Sequence, residues 1–183
     1  KDEFLAAYRA AAANYQPAAP LDPTTSMGAI IDRIQYDKVL SYIDKGLSEG
    51  AELICGGKAS RKDLGLFIEP TAFICPNPNL TISREEIFGP VLSIILFDDI
   101  DEAIRIANNS DYGLAAAVWT SDLSTAHKVS RRLRAGTVWV NCYDEGGDMN
   151  FPFGGFKQSG NGRDKSLHAL EKYTELKSTL IKL

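Results

Sequence analysis

Apolar residues recur along this chain in two rhythms, one with the period of a helix and one with the length of a buried strand. Phe4, Leu5, Tyr8, Ala12 and Tyr15 fall at helical spacing, and Pro17 and Pro20 end the pattern. A proline- and threonine-rich loop follows over residues 17–27. Ile31, Ile34, Val39, Tyr42, Ile43 and Leu47 give the apolar stripe of a second helix predicted over residues 32–49, with Gly50 placed for a left-handed exit. Residues 51–55 read as a short strand, and residues 66–75 as strand-like stretches around Pro70.

From there the signals alternate. Residues 91–97 form a continuous apolar run of strand length, and residues 98–109 a helix with Ile100, Ala103, Ile104 and Ala107 on one face. Strand 114–119, helix 123–134 and strand 137–141 complete the series, with Gly136 at the expected helix C-terminal cap. Short connections between alternating elements predict an α/β fold: a mostly parallel sheet of βαβ units with flanking helices. Right-handed crossovers would join strands 91–97, 114–119 and 137–141 in one sheet. Residues 143–162 are irregular and glycine-rich, a length of loop that inside a compact domain is usually functional or disordered. A short helix is expected over 166–173. Residues 174–183 alternate like a half-exposed strand, suited to an arm laid on another sheet or to an intramolecular edge.

Composition narrows the function classes. A chain of 183 residues with 44% hydrophobic and 24% charged positions is an ordinary globular sequence able to bury a core. A net charge of −4 leaves no basic footprint for nucleic acid. The apolar runs are too short to cross a bilayer, and Lys1-Asp2-Glu3 leads into the first helix without a signal-peptide pattern. Cys55, Cys75 and Cys142 make no CxxC pair, which suits a reducing, cytoplasmic setting. His127 and His168 stand far apart, so no zinc site is expected.

Two stretches carry candidate chemistry. In Glu85-Glu86-Ile87-Phe88-Gly89-Pro90, a carboxylate and a ring two residues apart in extended chain would face the same way. Such a pair can hold a diol and pack on a flat ring; equally, Glu86 can be a solvated acid and Phe88 a core residue. The second stretch follows Asn141 and includes Pro152-Phe153-Gly154-Gly155-Phe156-Lys157-Gln158-Ser159-Gly160. A loop leaving the carboxyl edge of an α/β sheet lies where ligands gather. Tyr143, Phe151 and Phe153 lie in this glycine-rich loop, where aromatics often only pin the chain down. Asp144, Glu145 and Asp148 form an acidic run that would favour a cationic ligand, or are solvated surface.

Taken together, the two motifs resemble the C-terminal half of the catalytic domain of NAD(P)-dependent aldehyde dehydrogenases, over nearly the whole chain and most weakly over residues 59–65. The resemblance implies that Glu86 holds the nicotinamide ribose of NAD or NADP and that Phe88 lies near the ring. It implies that the loop after Asn141 lines the aldehyde entrance, with Tyr143, Phe151 and Phe153 as candidate walls for an aliphatic chain beside the substrate-binding candidate Asp144 of the acidic run, the two motifs facing one cleft. It divides the chain into residues 1–162, part of the catalytic domain, and residues 163–183, a helix and an oligomerisation strand serving a homo-oligomer. The run from Asn141 to Asp148, with Gly160-Asn161-Gly162-Arg163-Asp164, is similar to the branch acting on γ-glutamylamino-, amino- and guanidino-butyraldehydes of polyamine or arginine breakdown. Asp164 stands where many members carry Glu, and one methylene less shortens its reach by ~1.5 Å, which puts a proton-relay role in doubt. No cysteine here has the surroundings of that family's nucleophile, so no catalytic residue is assigned and the chain alone is expected to be inactive. Two other classes remain: a non-catalytic α/β oligomerisation module, and a module binding a small cation through the acidic loop.

Overall fold

The structure, a computed structural model, describes residues 1–60, 65–143 and 149–183. The chain divides into two compact units, Lys1–Leu96 and Phe97–Leu183.

The first unit contains α1 (Asp2–Ala12), α2 (Arg33–Ser48), β1 (Glu52–Cys55), β2 (Ala59–Ser60), β3 (Phe67–Ile68), β4 (Thr71–Cys75), α3 (Thr81–Arg84) and β5 (Val91–Ile95). Helix α2 starts where Asp32, in extended conformation, accepts from the Gln35 amide; after the helix, Gly50 takes φ 87°. Strand β4 is central in the order β1-β4-β5, antiparallel to β1 and parallel to β5, and all five of its residues are buried. Alternation sends its side chains to opposite faces. Phe73 and Cys75 join Tyr36, Val39 and Ile43 of α2, whereas Ala72 and Ile74 join Leu5 of α1 and Ile54. Helices therefore cover both faces of this sheet.

The buried face of α2 differs from the predicted stripe. Tyr36, Val39, Ile43 and Gly46 face inward, while Ile31 and Ile34 are more than four-fifths exposed and Leu47 is half exposed. The spacing 36, 39, 43, 46 is the helix's own phase, and at its last place a glycine fits because Ile82 lies against it: a Cβ on Gly46 would sit 2.8 Å from Ile82 Cδ1.

The second unit contains α4 (Ile100–Asn108), β6 (Tyr112–Gly113), β7 (Ala115–Val118), α5 (Leu123–Arg132), β8 (Thr137–Val140), β9 (Phe156–Lys157) and a 3₁₀ helix, Leu167–Tyr173. Asp99 and Asp122 cap α4 and α5 by accepting from the Glu102 and Thr125 amides. Strands β7 and β8 are parallel, with α5 between them in sequence, and β6 and β9 are antiparallel. Asn108 ties the helix ends together: its side chain donates to the Arg132 carbonyl at 2.8 Å and accepts from the Arg134 amide at 2.7 Å. Asp101 pairs with both Lys128 and Arg132.

Two expectations need correction. The sheets are mixed rather than mostly parallel, because β1 runs antiparallel to β4 and the pairs β2–β3 and β6–β9 are antiparallel, and β5 takes its ladder from β4 while β7 pairs with β8; apolar runs mark strands but do not name their neighbours. Gly136 is not a helix cap: α5 gives way at Leu133, and Gly136 instead lies where a Cβ would collide with the Gly154 carbonyl. Within this single chain, segment 174–183 makes no intramolecular edge strand, and Leu176, Leu180 and Leu183 are fully exposed. A strand needs a ladder partner, and the described residues offer this segment none.

Candidate functional site

The turn carrying Glu86 and Phe88 is mounted on α2. Gln35 Nε2 donates to the carbonyls of Ile87 at 2.8 Å and Phe88 at 3.0 Å, Lys38 Nζ donates to the Glu86 carbonyl at 3.2 Å, and Tyr42 Oη donates to Glu85 Oε2 at 2.7 Å. Residues 35, 38 and 42 share one helical face. Ile87 is buried between them, and Gly89 packs so closely on Val39 that a Cβ would lie 2.5 Å from Val39 Cγ2. The chain here is not extended as expected. Phe88 takes φ 57°, a left-handed conformation costly for a bulky residue and tolerated where surrounding contacts impose it, as the two Gln35 bonds do. The outcome is an exposed acid and a 76% exposed ring on either side of a buried isoleucine. Glu85 is engaged by Tyr42, whereas among the described residues nothing takes up the Glu86 carboxylate.

That arrangement can hold a diol beside a flat ring. A carboxylate with open lone pairs can accept from two ribose hydroxyls, and an outward ring offers a flat apolar face. An apolar hollow of about 380 Å³ adjoins the same turn, bounded by Tyr8 of α1 and by Tyr15, Met27, Gly89, Pro90 and Leu92. Sequence reasoning passed over Gln35 and Lys38 and took Tyr42 for part of the apolar stripe. Their signal was polar residues at helical spacing on the flank of a buried stripe.

In the second unit the glycine-rich loop is a backbone clasp. Phe153 and Asp164 exchange both main-chain hydrogen bonds, at 2.8 and 2.7 Å, and β9 pairs with β6. Lys157 Nζ donates to the carbonyls of Asn108 at 2.9 Å and Ser110 at 2.7 Å, placing a cation at the C-terminus of α4. The Arg163 guanidinium donates to the carbonyls of Gly155 and Gly162 and lies 5.3 Å from the Phe156 ring centre. Phe153 is half-buried with the Lys165 ammonium 5.4 Å from its ring, while Phe151 and Tyr143 are exposed. Asp144 lies outside the described residues, as do Glu145 and Asp148. The Asp164 carboxylate is engaged by Lys172 Nζ at 2.6 Å.

The three cysteines are free thiols. Cys75 is buried, and burial pushes the Cys55 thiol above its ordinary range, the reverse of what a nucleophile needs. Among the described residues no group of three or more His, Cys, Asp or Glu side chains could hold a metal, and no helix is long and apolar enough to cross a membrane.

Comparison with known proteins places this geometry in context. The sequence profile of the aldehyde dehydrogenase family matches residues 1–179. The NADP/NAD-dependent aldehyde dehydrogenase PuuC of Escherichia coli K12 is 56% identical over 182 residues, covering 100% of this chain and 36% of that protein. Among solved structures, the γ-glutamyl-γ-aminobutyraldehyde dehydrogenase of Burkholderia cenocepacia J2315 matches with a TM-score of 0.94 and 67% identity, over 98% of this chain and 36% of that one. The P. syringae indole-3-acetaldehyde dehydrogenase AldA, solved with NAD+, matches with a TM-score of 0.94 and 59% identity, over 100% of this chain and 37% of that one. This chain thus spans a little over a third of the length of these relatives. It belongs to the aldehyde dehydrogenase family.

Proposed function

We propose that this chain acts as part of the catalytic domain of an NAD(P)+-dependent aldehyde dehydrogenase that oxidises aldehydes, foremost ω-aminoaldehydes, to carboxylic acids. The observation that carries the reading is the α2-mounted turn, where Glu86 is open and Phe88 is turned outward in a left-handed conformation. Glu86 accepts hydrogen bonds from the hydroxyls of the nicotinamide ribose, and the Phe88 ring borders the nicotinamide. NAD(P)+, when bound, supplies the hydride acceptor. Gln35, Lys38 and Tyr42 keep the turn in place, so that the carboxylate need not be ordered at each binding event.

The aldehyde passage is bordered by Tyr143, Phe151, Phe153 and Asp144, the acid favouring a cationic tail. Residues 163–183 serve assembly, with segment 174–183 gaining its ladder from another copy of the chain. Three free thiols suit a reducing cytoplasm. None of these thiols is an activated nucleophile, so this stretch of 183 residues does not oxidise aldehydes unaided. The γ-glutamyl-γ-aminobutyraldehyde specificity named for the Burkholderia relative supports the substrate class.

The test is Glu86→Gln in the complete enzyme. Weakening charge-assisted hydrogen bonds worth ~1.5–3 kcal/mol raises KM for NAD(P)+ about 10- to 100-fold, while thermal stability stays within ~0.5 kcal/mol, as for an exposed position. An unchanged KM overturns the assignment. The 183-residue chain alone produces no NAD(P)H absorbance at 340 nm with any aldehyde tried.

A further inference from the structure

Asn141 ends β8 in a left-handed conformation, φ 57°, which asparagine adopts more readily than most residues. Its side chain reaches across to the end of β7. Oδ1 accepts from the Thr120 amide at 2.8 Å, Nδ2 donates to the Thr120 carbonyl at 2.9 Å, and the Asn141 amide donates to the Val118 carbonyl at 2.9 Å. This fork needs a donor and an acceptor on one short side chain; ionised aspartate supplies only acceptors. Three hydrogen bonds therefore fix the direction in which the chain leaves the sheet. Two residues on, the exposed ring of Tyr143 rests against Trp139 of β8, with centroids 5.1 Å apart and planes at 55°.

We propose that Asn141 is a positioning residue for substrate selection, holding the Tyr143 ring as one wall of the aldehyde passage. The proposal rests on the preceding reading of this region as that passage. Asn141 does not touch the aldehyde; it acts through the exit geometry of β8, with Trp139 backing the ring. The left-handed turn and the amide fork are separable, because glycine keeps the first and lacks the second, whereas Asn141→Asp keeps the shape but turns a carboxylate toward the Thr120 carbonyl.

The experiment compares Asn141→Gly, Asn141→Asp and Tyr143→Ala in the complete enzyme, measuring kcat/KM for propionaldehyde and for phenylacetaldehyde, together with KM for NAD+. Both Asn141 variants shift the phenylacetaldehyde-to-propionaldehyde ratio at least fivefold, in the direction Tyr143→Ala shifts it, with KM for NAD+ within twofold of the parent. Adding Tyr143→Ala to either variant shifts the ratio no further. A loss shared equally by both aldehydes and NAD+ marks a merely structural residue and overturns the proposal. Tyr143→Ala alters an exposed ring and folds irrespective of residue 141, so an unchanged ratio there overturns it as well. A parent enzyme that reduces no NAD(P)+ with any aldehyde removes the functional reading and the proposal together; an active parent puts only the positioning role at stake.

Discussion

Replacing Gly89 with alanine tests how firmly the candidate cofactor turn is seated on α2. The added Cβ would stand 2.5 Å from Val39 Cγ2 and 3.0 Å from Cγ1, against an ordinary carbon–carbon contact of about 3.5–4.0 Å. Val39 is 0% exposed and cannot swing aside. The overlap of about an ångström places Gly89→Ala among overpacked core substitutions, costing ~1–3 kcal/mol. Val39→Ala removes both offending methyls and by itself costs a similar ~1–3 kcal/mol, since each buried methylene lost is worth ~0.5–1.5 kcal/mol. In the double variant the new methyl occupies space the valine has vacated, so the combined loss falls at least ~1 kcal/mol short of the sum, a coupling typical of touching residues. Both tryptophans, Trp119 and Trp139, belong to the second unit, so fluorescence does not report on this site. The assay is native-state hydrogen exchange over α2 as a function of urea, supported by far-UV circular dichroism. Additivity within ~0.3–0.5 kcal/mol would refute the described contact and the seating of the turn with it.

Two further outcomes follow from ionisation. Glu49 accepts from the Thr81 hydroxyl at 2.6 Å and amide at 2.7 Å, bonds that hold its carboxyl below the usual carboxylate range. A depressed folded value means that the stabilisation is fully present above the unfolded pKa, about 4.3, and is lost as pH falls through the folded value. The gap in urea midpoint between the parent and Glu49→Gln therefore narrows from pH 6 to pH 3, and a constant gap would contradict the assignment. Cys55, its thiol pushed up by burial, reacts with iodoacetamide at pH 8 more slowly than a thiol of ordinary pKa, about 8.5; peptide mass spectrometry reads the rate, and preferential labelling of Cys55 would sink this view of it.

Local order was legible in the sequence where a single segment decides it. Helix α2 begins and ends within a residue of its predicted limits because Asp32 and Gly50 are local signals. The phase of its buried face was harder: Ile31 precedes the helix and Ile34 sits in its first turn, away from β4, so their hydrophobicity misled the stripe. Pairing was not legible either, since the run Val91–Ile95 suits any parallel neighbour and only tertiary packing selects β4. At the candidate site Glu86 and Phe88 are both exposed, so the alternative of Phe88 as a core residue does not hold. The left-handed Phe88 was not legible, because no local propensity favours φ above zero for phenylalanine; the support comes from Gln35, fifty-three positions away. Nor did the sequence mark Lys157, whose ammonium donates to the carbonyls of Asn108 and Ser110 at the end of α4.

The crossing of Gly136 and Gly154 restricts where this protein can vary. Backbone passes backbone there with no room for one methyl: a Cβ on Gly136 meets the Gly154 carbonyl, and one on Gly154 meets the Gly162 carbonyl. Every missense change of a glycine codon installs at least that carbon, so a saturation library should return these columns empty. Variation is then channelled into exposed rings such as Tyr143 and Phe151, whose replacement disturbs no such crossing.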